Sequence, residues 1–161
     1  MRFVLIDRIV ALEPGVRAVA AKTFSGEEDF FQDHFPGFPV VPGTLLTEAM
    51  GQTGGWLLAA TLGFSRWPLL NMIASAKFRR FVRPGEEIVL EAVVESARDE
   101  GFEVRAQAAV GGSRVADARL FFHGFSPASL PAEPGSLASW ARETFQRLGG
   151  DSFLAAGNGG R

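Results

Sequence analysis

The stretch from Thr44 to Leu62 reads Thr-Leu-Leu-Thr-Glu-Ala-Met-Gly-Gln-Thr-Gly-Gly-Trp-Leu-Leu-Ala-Ala-Thr-Leu, apolar almost all the way round at helical spacing. A helix with no polar face is not stable against water, so the rest of the fold must enclose it. Gly51, Gly54 and Gly55 lie inside this helix, where each costs about 1 kcal/mol relative to Ala. Their presence predicts a sheet or a ligand pressed close to the helix backbone.

The flanking segments supply the wrapping. Residues 3–12 and 16–24 are rich in strand formers and flank Pro14-Gly15, a turn pair, which predicts a first strand pair. Residues 25–43 read as a structured loop, stiffened by Pro36, Pro39 and Pro42 and anchored by Phe and Val side chains. Four strand-like segments follow at 70–82, 86–97, 102–110 and 113–123, separated by Arg83-Pro84-Gly85, by residues 97–101 and by Gly111-Gly112. Turns this short predict an antiparallel meander. One enclosed helix and about six antiparallel strands define an α+β domain, a curved sheet round a long central helix, the arrangement of the hot-dog fold. Residues 1–124 are assigned to it and residues 125–161 to an appendage. In the appendage Pro127, Pro131 and Pro134 form a stiff connector, and Leu137, Trp140, Ala141, Thr144, Phe145 and Leu148 share one face of a surface-docked helix behind a Ser136 cap. The glycine-rich end is expected to fray.

Composition narrows the chemistry. A net charge of −2 gives no general field for nucleic acid or anionic membrane, so a charged partner must be met by a local patch. Without cysteine there is no disulfide, thiolate ligand or thiol nucleophile, and His34 and His123 are the histidines left for acid–base or metal chemistry. The apolar run at the N-terminus is too short for a signal peptide, and residues 54–64 fall well short of the roughly 20 that span a bilayer. A cytoplasmic protein without metal or redox cofactor is expected.

Between His34 and Arg66 the one ionisable side chain is Glu48, about one turn into the apolar helix. The helix N-terminus favours a carboxylate by roughly 0.3–1 kcal/mol, whereas full desolvation raises a carboxyl pKa by up to about 3–5 units. A first-turn acid serving the helix dipole is the plain alternative, but the flanking Leu45, Leu46, Ala49 and Met50 argue for burial. A buried, protonated carboxyl is a proton donor. Gln52, at i+4, is placed to orient it. His34 stands in the stiff loop before the helix, in an apolar setting made by Phe35, Pro36, Gly37 and Val40-Val41-Pro42, where a neutral imidazole can act as a base. Gly43 opens the helix, so unpaired backbone N–H groups there can hold a developing oxyanion.

His-Phe-Pro-Gly-x-Pro-Val-x-Pro-Gly from His34 to Gly43, followed by Glu-Ala-Met-x-Gln from Glu48 to Gln52, resembles the β-hydroxyacyl-acyl-carrier-protein dehydratases of the FabZ/FabA type. The likeness covers roughly residues 4–123, through Leu5-Ile-Asp-Arg-Ile-Val, Glu13-Pro14-Gly15, Lys77-Phe-Arg-Arg, Pro84-Gly85 and Val115-Ala-Asp-Ala. It implies that His34 is the catalytic histidine, Glu48 the catalytic carboxyl and Gly43 the backbone donor, with Gln52, Phe38 and Val40 binding or orienting substrate. It also implies a site shared across a homodimer, open to assembly as a trimer of dimers, and Glu at position 48 resembles the FabZ branch, which dehydrates without isomerising the double bond. The substrate so implied is a 3-hydroxyacyl thioester of acyl carrier protein or coenzyme A. The sequence departs from the family at Asp33, where Gly is usual, at Phe38, where a polar residue is common, at Gly51, where Ala is usual, and in having no tyrosine. Lys77, Arg79, Arg80 and Arg83 form a basic cluster, read either as solvated strand-edge charge or as a dock for an acidic carrier or a pantetheine phosphate. Two rival functions stay open on the residues, a thioesterase of the same fold and a non-catalytic acyl-thioester binding subunit. His123 is read as structural.

Overall fold

The computed structural model describes residues 3–99, 101–126 and 136–156. Strands β1 (Arg8–Glu13) and β2 (Arg17–Thr23) form the first hairpin. Its turn is closed by the Val16 N–H donating to the Glu13 carbonyl at 3.0 Å, with Gly15 at φ +79°, a conformation open to glycine. β1 begins later than the sequence pattern predicts. Residues 3–5 run beside the central helix instead, and the Leu5 N–H donates to the Gln52 side chain at 2.7 Å.

Four further strands complete one antiparallel sheet: β3 (Trp67–Phe78), β4 (Glu87–Arg98), β5 (Gly101–Val110) and β6 (Ser113–Phe125). The order is β1-β2-β4-β5-β6-β3, so the expected four-strand meander holds only for β4 to β6. β3 pairs with β6 at the far edge, and the segment read as a β3–β4 turn, around Arg83-Pro84-Gly85, carries the chain from that edge back to the interior. Buried Val82 fixes the crossing, its carbonyl accepting the Val41 N–H at 2.8 Å. Alternating hydrophobicity marks a strand without specifying its neighbour, which is why the order was not readable.

The helix α2 (Gly43–Thr61) lies across the concave face of this sheet, with Leu46, Ala49, Met50, Leu57 and Leu58 almost wholly buried. The glycines have the packing reason their sequence position called for. A Cβ at Gly54 would lie 3.2 Å from the Phe122 ring and 3.3 Å from Val104, and one at Gly51 would lie 3.4 Å from Leu70. Gly55 is different, since nothing stands within 4 Å of its Cβ position. The loop before α2 contains a short helix, α1 (Phe30–Asp33), that was not foreseen.

Helix α3 (Ser136–Arg147) buries Ala141, Thr144 and Phe145 from the face read in the sequence, and Leu148 follows them into the core. Trp140 stays 46% exposed. The Phe145 ring sits against the bare Cα of Gly150, just ahead of α4 (Asp151–Ala156), a helix where fraying was expected to begin nearby. The proline connector and the last residues lie outside the described residues. Leu148 also ties this region to the sheet, its carbonyl accepting the Ile9 N–H at 2.8 Å. Among the described residues no helix is long and apolar enough to cross a membrane.

Candidate active site

His34 caps the C-terminal end of α1, its N–H donating to the Phe30 carbonyl at 2.9 Å. The chain then turns sharply, with Phe35 at φ +55° and Gly37 at φ +83°, and the Phe38 N–H closes the turn on the Phe35 carbonyl at 2.8 Å. A left-handed phenylalanine is uncommon and is held here by its surroundings. The His34 side chain is half-buried and opens on a cavity of about 370 Å³, lined also by Val40, Gly43, Phe78, Arg80 and Phe81. Val40 is buried at 1% exposure, so it shapes the wall from beneath. Gly43 begins α2, and its N–H is one of the helix donors left without an intrahelical partner. A Cβ there would come within 3.0 Å of the Phe78 ring.

Glu48 occupies a second cavity, of about 270 Å³, lined by α2 residues further along the helix. Deep burial, expected from its apolar neighbours, is not what a single chain provides: Leu46, Ala49 and Met50 turn into the core, while Glu48 is half-buried and faces the cavity. The Gln52 amide donates to the Glu48 carboxylate at 3.0 Å and to the Phe3 carbonyl at 3.2 Å, and its oxygen accepts the Leu5 N–H. All the polar atoms of this amide are therefore occupied, and the Gln52 rotamer is fixed. No residue lines both cavities, so the candidate acid and base do not share a cavity within one chain.

Phe38 lies at the surface and lines neither cavity. Its ring meets Phe81 edge-on at 5.7 Å, and the Arg83 guanidinium sits 5.2 Å from its centre. In the basic cluster Arg79 is paired with Asp117 and Arg80 with Glu86, the latter at 3.1 Å, whereas Lys77 and Arg83 are exposed and make no ion pair among the described residues. Sequence reading missed Trp56, Trp67, Trp140 and Phe3, which line the Glu48 cavity. Trp56 carried a signal, since it falls on the helix face of Glu48 and Gln52 at i+8 and i+4. Among the described residues no group of His, Asp and Glu side chains is arranged to hold a metal ion.

A half-buried carboxyl with an orienting amide, a loop imidazole beside a helix N-terminus and an apolar cavity suit proton transfer on an acyl substrate. Comparison with known proteins agrees with this class. The FabA-like domain family matches residues 1–119. The chain is 44% identical over 120 residues to "3-hydroxyacyl-[acyl-carrier-protein] dehydratase FabZ" of Syntrophotalea carbinolica, covering 73% of this chain and 82% of that protein. It is 43% identical over 121 residues to the FabZ of Chloroflexus aggregans, covering 74% and 84%. Among solved structures, conserved protein PA5202 from Pseudomonas aeruginosa superposes with a TM-score of 0.61 at 23% identity, covering 73% of this chain and 87% of that one. The E. coli PaaI protein does so with 0.58 at 14%, covering 72% and 81%. These two carry the fold, which is the hot-dog fold. The chain belongs to the FabA-like family of hot-dog dehydratases, in its FabZ-type branch.

Proposed function

We propose that this protein dehydrates 3-hydroxyacyl thioesters, carried by acyl carrier protein or coenzyme A, to trans-2-enoyl thioesters in fatty-acid biosynthesis. The observation that carries the reading is the Gln52-held Glu48 carboxyl facing an apolar cavity, within the FabZ-like stretch that also contains His34 and Gly43. His34 takes the proton α to the thioester carbonyl, and the Gly43 N–H holds the carbonyl oxygen as negative charge builds on it. Glu48 gives its proton to the departing hydroxyl, which leaves as water as the double bond forms.

Each site takes its histidine and carboxyl from two chains. Supporting this, the two groups open on separate cavities, and no described strand pairs with the outer side of edge strand β3, which carries Met72 at 50% and Ile73 at 48% exposure. An open apolar edge is a template for a second strand, and a two-fold pairing there gives a homodimer. Lys77, with Arg79, Arg80 and Arg83 beside it, offers the acidic carrier a docking surface.

The test is hydration of a crotonyl or longer enoyl thioester, followed as loss of enoyl absorbance. Turnover is expected. Release of free thiol without hydration would point to thioester hydrolysis, and binding without either reaction to a non-catalytic subunit.

A further inference from the structure

The chain has 3 tryptophans, and all of them meet in one cluster at the end of the Glu48 cavity. Trp56 and Trp67 meet edge-on with ring centres 5.8 Å apart, Trp140 lies 5.8 Å from Trp67, and Trp56 and Trp140 are tilted at 6.0 Å. Glu48 and Trp56 lie on the same face of α2, separated by about 12 Å along the axis at 1.5 Å per residue. Gly51 and Gly55 fall between them, and a Cβ at Gly55 would point into open space. Leu70 and Phe122 add apolar wall. The cavity therefore has a polar end, at Glu48 and Gln52, a glycine floor and an aromatic far end.

Two of the three indoles come from within the FabA-like stretch, but Trp140 comes from α3, beyond its last matched residue at 119. Ala141, Phe145 and Leu148 already anchor α3 in the core at 4% exposure or less. Trp140 is not needed for that anchoring, being 46% exposed, and the face it turns inward lies against Trp56 and Trp67.

We propose that Trp140 forms the far wall of the acyl-chain cavity and sets the length of chain the protein accepts, so that the C-terminal appendage is a specificity element. This rests on the acyl-thioester reading given above. An extended acyl chain whose thioester lies at Glu48 and Gln52 runs over the glycine floor and ends on the indoles. An apolar wall discriminates by roughly 10- to 200-fold per misfit methylene.

The test compares kcat/KM for hydration of crotonyl, octenoyl and tetradecenoyl pantetheine thioesters by the wild type, Trp140→Ala and Trp140→Phe. Trp140→Ala is expected to raise the ratio of tetradecenoyl to crotonyl efficiency at least about 10-fold, with Trp140→Phe lying between it and the wild type. An unchanged ratio in a folded Trp140→Ala protein overturns the proposal. So does an equal loss at every chain length accompanied by a lower melting temperature, which is the mark of packing alone. A second measurement is independent of turnover. Because every tryptophan lies in the cluster, saturating the wild type with octanoyl-pantetheine is expected to shift its tryptophan emission, and an unaltered spectrum overturns the assignment. A wild type that binds with this shift yet hydrates no enoyl thioester keeps the cavity assignment and removes the dehydratase reading.

Discussion

The Glu48 carboxylate accepts a hydrogen bond from the Gln52 amide at 3.0 Å, and that amide is itself fixed by the Leu5 N–H at 2.7 Å. The N-terminal segment thus aims a carboxyl on the central helix through an intermediary with no spare polar atom. Glu48→Gln is expected to keep the fold and lower turnover by at least about 10²-fold, because an amide keeps the volume without the acidic proton. Gln52→Leu leaves the Leu5 N–H unpaired and is expected to destabilise by about 1–3 kcal/mol while lowering kcat more than it raises KM. Steady-state kinetics and urea unfolding check both, and near-normal turnover with the Glu48 amide would place the acid elsewhere.

Gly54 and Gly55 are neighbours with opposite expectations. At Gly54 an added methyl meets Phe122 and Val104, so an overpacking penalty of about 1–3 kcal/mol exceeds or cancels the roughly 1 kcal/mol gain in helix propensity. Gly55→Ala gains that propensity with no contact to oppose it, and its melting temperature is expected to rise by about 2–4 °C. The same methyl enters the Glu48 cavity, so hydration of long enoyl thioesters should fall. A stability loss at Gly55 would mean that its surroundings are tighter than described.

His34→Ala and Glu48→Gln are expected to be separately inactive and jointly complementary. In a mixed dimer one site receives both substitutions and the other neither, so doubly tagged heterodimers should show about half the wild-type rate per dimer. Activity no higher than that of either variant alone would place both groups in one chain.

Among the described residues neither Lys77 nor Arg83 of the cluster makes an ion pair, but Arg83 sits over the Phe38 ring, so Lys77→Glu is the change expected to disturb docking without breaking an internal contact. Its apparent KM should rise several-fold for a carrier-protein substrate and little for a pantetheine analogue, more so at low ionic strength. Equal effects on both substrates would remove the carrier surface.

Glu86 accepts the Arg83 N–H at 2.7 Å and pairs with Arg80, and these contacts hold its carboxyl below the ordinary carboxylate range. A carboxyl lowered in the folded state contributes stability that is present above its unfolded pKa and lost as pH falls through its folded one. Urea midpoints of wild type and Glu86→Gln should therefore differ at neutral pH and converge in acid. A gap that stays constant with pH would assign the contribution to packing.

The central helix was legible to within a residue at each end, and so was the segment that carries Gly43, Glu48 and Gln52, because apolar periodicity and an i+4 pair are local properties of a chain. The strands were legible as strands, but the place of β3 beside β6 was not, since a pattern of period two says which face is buried and not who the neighbour is. Helix α1 escaped because four residues behind Asp29, which makes no side-chain cap bond, leave no periodic trace. The pairing of Arg79 with Asp117 and the meeting of Trp140 with Trp56 depend on residues far apart in sequence. Burial of Glu48 was overread, since apolar flanks on a helix fix their own directions and not that of the residue between them.

The hydrogen bond from Ile9 to Leu148 has a consequence for growth. A sheet grows by adding strips at its two borders, and here they are unequal. Both edge strands carry register shifts, but at β1 the chain's own C-terminal region occupies a donor, the Ile9 N–H, so that border is blunted against another strand. At β3 the border is open. Under the proposed two-fold pairing at β3, a ribbon with one usable border joins one like ribbon and then has none left, so the same pairing leads to no unending stack.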